Sequence, residues 1–174
     1  MHRLFVAIRP PDPVRDALLA AMGGVSGARW QRDDQLHLTL RFIGEVDRHV
    51  AQDIAAALDT VHHPAFDLDL AGVGIFDSRG FANAIWAGVA PTAPVTALHH
   101  KIDQALLRVG VPADARAFHP HITLARLGRS AGSATGFLAS ARVAGRFRVD
   151  QFALFESVLT RDSATYRMIE RYLF

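Results

Sequence analysis

Apolar and polar residues along the 174-residue chain follow two periods, and these predict alternating strands and helices. Leu4–Arg9 reads as a strand. Asp12 offers an N-cap and Pro13 a first helical position, so a helix runs to about Met22 and stops at Gly23-Gly24. Leu36–Ile43 is a strand, and Asp47 caps a helix with Val50, Ile54, Ala57, Leu58 and Val61 on one face. Phe66-Asp67-Leu68-Asp69-Leu70 alternates strictly, the mark of a half-buried strand. Ala84–Val89 is a strand, and Val95–Val109 a helix striped by Val95, Leu98, Ile102, Leu106 and Val109. Strands at His121–Arg126, Arg146–Leu159 and Ala164–Phe174 complete the pattern. The most linker-like stretch is Leu127–Ser140, with Gly128, Gly132, Ser133 and Gly136. The class expected is α+β with largely antiparallel sheets.

One unit occurs twice. An apolar strand ends in Pro-x-x-Pro-Val at Pro10–Val14 and again at Pro91–Val95, an offset of 81, and a helix follows each. Each helix then leads to a His-x-Thr-Leu strand, at His37 and at His121, an offset of 84. Residues 1–174 are therefore expected to form a single domain with an internal duplication, its motif strands at 36–43 and 120–126.

Composition narrows the chemistry. The absence of cysteine excludes a thiol nucleophile, a disulfide, an iron–sulfur cluster and a cysteine-type zinc site. A net charge of +2 is a weak field, too small to imply a long nucleic-acid groove, though a local anion site fits it. Lys101 is the sole lysine, so the other basic residues are arginines, whose planar fork suits phosphate. The apolar run Leu4–Ile8 is too short for an export signal, and no uncharged stretch approaches a membrane span. A cytoplasmic protein with no membrane association is expected.

The paired motifs carry the chemistry. Given the chain's His, Thr and Leu content, about 0.04 His-x-Thr-Leu matches arise by chance, and two arise in roughly one such chain per thousand. On a strand, His37 and Thr39 share a face while Leu38 and Leu40 turn to the core; His121 and Thr123 share a face above Ile122 and Leu124. If the two units face each other, both His–Thr faces line one cleft. Imidazoles titrate at about 6.5, so one can be a general base while the other is a general acid. The base activates water for attack on phosphorus, and the acid protonates the departing oxygen. Threonine hydroxyls and an arginine hold the non-bridging oxygens. No metal or other cofactor is required, and a cyclic phosphodiester suits such a site.

These motifs resemble those of the two-histidine (2H) phosphoesterase superfamily, and within it the bacterial and archaeal RNA 2',3'-cyclic phosphodiesterases, once called 2'-5' RNA ligases. The matching residues are Arg3–Ile8, His37–Val46, Gly72–Phe76, Phe118–Arg126, Phe152–Ser157 and Tyr166, spread over essentially the whole chain. The resemblance implies a bilobal 2H phosphoesterase fold: two pseudo-symmetric lobes flanked by helices, with the cleft between them. It also implies that His37 is the proton donor, that His121 is the proton acceptor, and that Thr39, Thr123 and Arg126 bind phosphate. The implied reaction opens the 2',3'-cyclic phosphate of an RNA end or a cyclic nucleotide to a 2'-phosphomonoester. A monomer is expected. Alternatives are a 2'-5' RNA ligase or RNA-end binding module using the same cleft, or a related 2H enzyme acting on a non-RNA cyclic or 2',5'-linked phosphate.

Other residues invite weaker expectations. Arg41 shares strand parity with His37 and could reach phosphate, although a solvated strand-end arginine is the plainer expectation. Parity points Arg126 away from His121, so its role needs a bend at the strand end or a long reach. Phe42 is expected in the core rather than as a base-stacking platform. His37, His119 and His121 together would be the rival metal site. The pairs His62-His63 and His99-His100 are expected at the surface, and Asp67 and Asp69 on the polar face of their strand.

Overall fold

The computed structural model describes residues 1–159 and 164–174. It contains the strands β1 (His2–Ile8), β2 (Ala28–Trp30), β3 (Leu38–Val46), β4 (Phe66–Ser78), β5 (Phe81–Ala90), β6 (His121–Leu127), β7 (Arg146–Val149), β8 (Gln151–Leu159) and β9 (Ala164–Leu173). The helices are α1 (Asp12–Ala21), α2 (Arg48–Asp59), α3 (Thr92–Arg108) and α4 (Thr135–Ser140). The strands form one antiparallel sheet in the order β7-β4-β5-β6-β3-β1-β8-β9, with β2 paired to β6. The two motif strands, β3 and β6, are neighbours at its middle and meet at Leu38↔Ile122. Outward from that contact β1 corresponds to β5 and β8 to β4, so the repeated unit recurs on each side of the junction.

Most α2 and α3 assignments follow from local physics. Asp47 caps α2 by accepting from the Val50 amide at 2.9 Å. The helical stripes Leu18, Ile54, Leu58, Val95, Leu98, Ile102 and Leu106 pack against Leu4, Leu38, Leu40, Ile85, Ile122 and Leu124 in one core. A smaller apolar cluster of Phe5, Ala7, Ala153 and Phe155, with Tyr166 against it, occupies the opposite face of β1 and β8. β1 is thus buried on both sides, which is why Leu4–Ile8 is continuously apolar.

Four local expectations need correction. Pro11, not Asp12, is the N-cap of α1, and the Asp12 carboxylate instead accepts from Arg15 at 2.8 Å. The linker-like stretch contains α4, held because Phe137 is buried and packs 5.3 Å from Trp30. The strand expected over Arg146–Leu159 is two strands interrupted at Asp150, because β7 pairs with β4 while β8 pairs with β1 and β9. β4 continues through the glycines to Ser78, where Arg79 and Gly80, both at positive φ, make a two-residue turn into β5.

Candidate active site

His37 lies at the entry of β3 and His121 at the start of β6. Leu38 and Ile122 face each other across the antiparallel pair. One step along that register sets His37 across from Thr123 and Thr39 across from His121. Each imidazole therefore neighbours the other motif's hydroxyl. The two histidines are diagonal neighbours, a relationship that spans about 7–8 Å between backbones. That gap accommodates one phosphate between two imidazoles.

Both rings are held in the same way. His37 Nδ1 donates to the Gln35 carbonyl at 2.6 Å, and His121 Nδ1 donates to the His119 carbonyl at 2.6 Å. A carbonyl only accepts, so Nδ1 carries the proton and Nε2 keeps its lone pair. Aromatic rings fix each imidazole from the side. Phe5 and Tyr166 lie 4.9 and 5.1 Å from His37, and Phe76 lies 4.7 Å from His121 with Trp86 behind it at 6.4 Å. Phe5 and Trp86 stand at the offset of the repeat, on β1 and β5.

Burial sets the protonation. It lowers His37 from 6.5 to about 4, helped by positive charge at His121, Arg126 and Arg9 and opposed by the Gln35 carbonyl. It lowers His121 as well, with His119 and Arg126 adding to the effect. Both imidazoles are accordingly neutral at neutral pH while the cleft is empty. A phosphate placed between the rings would supply negative charge and raise their proton affinity.

A matched irregularity in the two motif strands decides which residues join the cleft. In β3 the pairing with β1 runs Ala7↔Thr39 then Val6↔Arg41, which skips Leu40. In β6 the pairing with β5 runs Trp86↔Thr123 then Ile85↔Ala125, which skips Leu124. Each bulge inserts one residue and reverses the parity beyond it. Both motifs therefore show the same burial, with two consecutive buried residues after the half-buried threonine and then an exposed one.

The bulge in β6 supplies the bend that Arg126 requires. Arg126 is exposed, pairs with Ala84 on one side and Arg29 on the other, and bears electrostatically on both imidazoles. Its neighbour Ala84 pairs in turn with Phe76, which packs on His121, so Phe76, Ala84, Arg126 and Arg29 form one row across the cleft face. In β3 the same device corrects two expectations. Arg41 turns inward, only 5% exposed, and its guanidinium donates to Asp103 at 2.8 Å, to the Phe42 carbonyl at 2.6 Å and to the Pro112 carbonyl. It ties β3 to α3 and to the loop before β6 and does not reach the cleft. Phe42 turns outward instead of into the core, 38% exposed, with the Arg3 guanidinium 5.4 Å from its ring centre.

Three other histidines, His119, His63 and His99, make contacts of their own. His119 packs edge-on against Trp86 at 4.9 Å, and among the described residues no three His, Cys, Asp or Glu side chains gather as metal ligands. His63 and His99 are not surface residues as expected. His63 is buried, with Nδ1 donating to the Pro64 carbonyl, and His99 Nδ1 donates to the Leu40 carbonyl at 2.7 Å while the ring stacks 4.0 Å from Phe118. His99 thereby holds the bulge residue of β3 from the α3 side. Asp67 does occupy the polar face, 3.2 Å from Arg146. Sequence reasoning gave no role to Phe5, Phe76, Trp86, Tyr166 or Arg29. The repeat offset relating Phe5 to Trp86 is the signal that could have found two of them.

Two imidazoles with carbonyl-fixed tautomers, opposed on paired strands beside two hydroxyls and an arginine, fit the class of two-histidine phosphoesterases. The chain belongs to the 2'-5' RNA ligase superfamily, whose profile matches residues 10–160. It is 30% identical over 170 residues to an RNA 2',3'-cyclic phosphodiesterase of Archaeoglobus fulgidus, covering 95% of this chain and 96% of that one. An RNA 2',3'-cyclic phosphodiesterase of Escherichia coli K12 is 28% identical over 177 residues, covering 98% and 96%. The crystal structure of E. coli LigT complexed with 3'-AMP superposes with a TM-score of 0.82 at 27% identity, covering 99% of this chain and 98% of that chain. TT0787 of Thermus thermophilus gives a TM-score of 0.81 at 26% identity, covering 98% and 97%. The curled antiparallel sheet flanked by helices is the architecture of these relatives.

Proposed function

We propose that this chain is an RNA 2',3'-cyclic phosphodiesterase that opens a terminal 2',3'-cyclic phosphate to a 2'-phosphomonoester, with His37 and His121 as acid and base. The observation that carries this is the identical mounting of the two imidazoles, each with Nδ1 on the carbonyl two residues upstream and Nε2 left for proton transfer. His121, the less deeply buried ring, takes the proton from water. His37, packed against Phe5 and Tyr166, gives its proton to the departing 3'-oxygen. Thr39, Thr123 and Arg126 bind the non-bridging oxygens, where charge grows as water adds. The proton taken at His121 and the one given at His37 balance over the reaction, so the pair resets by exchange with solvent.

We take residues 1–174 as a single duplicated domain acting as a cytoplasmic monomer. No described helix is long and apolar enough to cross a membrane. The deciding experiment is ³¹P NMR of the product from a 2',3'-cyclic nucleotide. A 2'-phosphomonoester is expected, formed equally well in EDTA; a 3'-phosphate would overturn the leaving-group assignment, and no turnover would overturn the activity.

A further inference from the structure

We propose that the β4–β5 hairpin end and the segment after β6 form a second subsite, which binds the nucleotide 5' of the cyclic end. This rests on the cyclic phosphodiesterase reading above and sets its substrate class as oligonucleotide ends over mononucleotides. Phe81 is 58% exposed, and the exposed Arg129 lies over its ring at 5.9 Å. The pair faces the cleft side of the sheet. Phe76 packs on His121, alternation carries the same face to Ser78, and Ser78 pairs directly with Phe81. β6 ends at Leu127, and the Arg129 guanidinium two residues further on reaches the Phe81 ring, so the platform joins the hairpin end to the segment that follows Arg126. The platform therefore lies one step along the strands from the row of Phe76, Ala84, Arg126 and Arg29.

Position and chemistry both fit a nucleotide. Ser78 lies two positions along the strand from Phe76, a displacement of about 7 Å, comparable with one extended step of nucleic-acid backbone. An exposed aromatic face stacks any base, and flanking guanidiniums take the phosphates on either side. With Arg126 engaged on the reacting phosphate, its cross-strand neighbour Arg29 and the platform's own Arg129 are the guanidiniums left for the phosphodiester 5' of the terminal nucleoside. The tight Arg79-Gly80 turn anchors the platform, since Phe81 follows it directly.

The test is steady-state kinetics of wild type, F81A, F81W and R129Q on a 2',3'-cyclic mononucleotide and on a trinucleotide ending in the same cyclic nucleotide. F81A should raise KM for the trinucleotide about tenfold with kcat little changed, and leave mononucleotide kinetics within about twofold. F81W should retain the wild-type values, and R129Q should weaken the salt dependence of trinucleotide KM. Equal effects on both substrates, or none on the trinucleotide, would overturn the subsite. Fluorescence anisotropy with a labelled trinucleotide bearing a 2'-phosphate end separates the two proposals. Were wild type to hydrolyse neither substrate, the activity would fail, while loss of trinucleotide binding in F81A would still support the platform and unchanged binding would overturn it.

Discussion

Replacing His37 by glutamine should change how the protein's stability depends on pH. In the folded chain the ring sits against Phe5 and Tyr166, and its pKa falls from 6.5 to about 4, with burial the main cause. The unfolded chain takes up this proton near the ordinary value. Between the two values the unfolded state binds more protons, so stability falls as pH falls. Above the unfolded value both states are neutral and nothing is lost; below about 4 the loss levels off. At about pH 4 the loss through this one side chain is about 3 kcal/mol. H37Q has no proton to gain, and every other titrating group is common to both proteins and largely cancels. Urea unfolding at about pH 7.5 and about pH 4 measures the difference. The stability gap between wild type and H37Q should move by about 3 kcal/mol in favour of the variant at the acid pH. Parallel pH dependence within about 1 kcal/mol would refute the desolvation argument, as would an NMR titration showing His37 half-protonated near 6.5.

Three further outcomes are expected. H37A and H121A should each lower kcat on a cyclic nucleotide by about 10²–10⁴-fold, checked by rate assays alongside circular dichroism that shows an intact fold. R41M should cost about 3–5 kcal/mol in urea unfolding, because it strands Asp103 and two carbonyls, yet leave KM for a cyclic nucleotide unchanged. G74A would place a Cβ 2.3 Å from the Trp86 ring; the indole must shift, unfolding should show a loss of about 1–3 kcal/mol, and a looser cage should raise the His121 pKa in an NMR titration.

Anion binding should follow the same electrostatics. Because both imidazoles and Arg126 repel one another's positive charge, a phosphate entering the cleft relieves the repulsion. Affinity for a 2'-phosphomonoester should therefore rise as pH falls toward the imidazole pKa values, by linkage.

Much of the site was legible because its information is local. Strand alternation put His37 with Thr39 and His121 with Thr123, the offsets of 81 and 84 matched the two units, and Asp47 announced α2. The histidine pairs were less legible. Nothing in His62-His63 or His99-His100 distinguishes a covered ring from an exposed one, since His63 is buried and His99 half-buried by partners distant in sequence such as Phe174 and Phe118. The α4 segment was hidden by its glycines and depends on Trp30 for its anchoring contact.

The chain by itself singled out the two motif imidazoles, their hydroxyl neighbours and the repetition of the unit that carries them. Tertiary structure decided which arginine joins them. A residue count along a strand assigns Arg41 to the cleft and Arg126 away from it, and the fold reverses both. The physical reason is that a bulge belongs to a pair of strands. β1 and β5 each advance one residue while β3 and β6 advance two, and the parity of every later side chain depends on that mismatch.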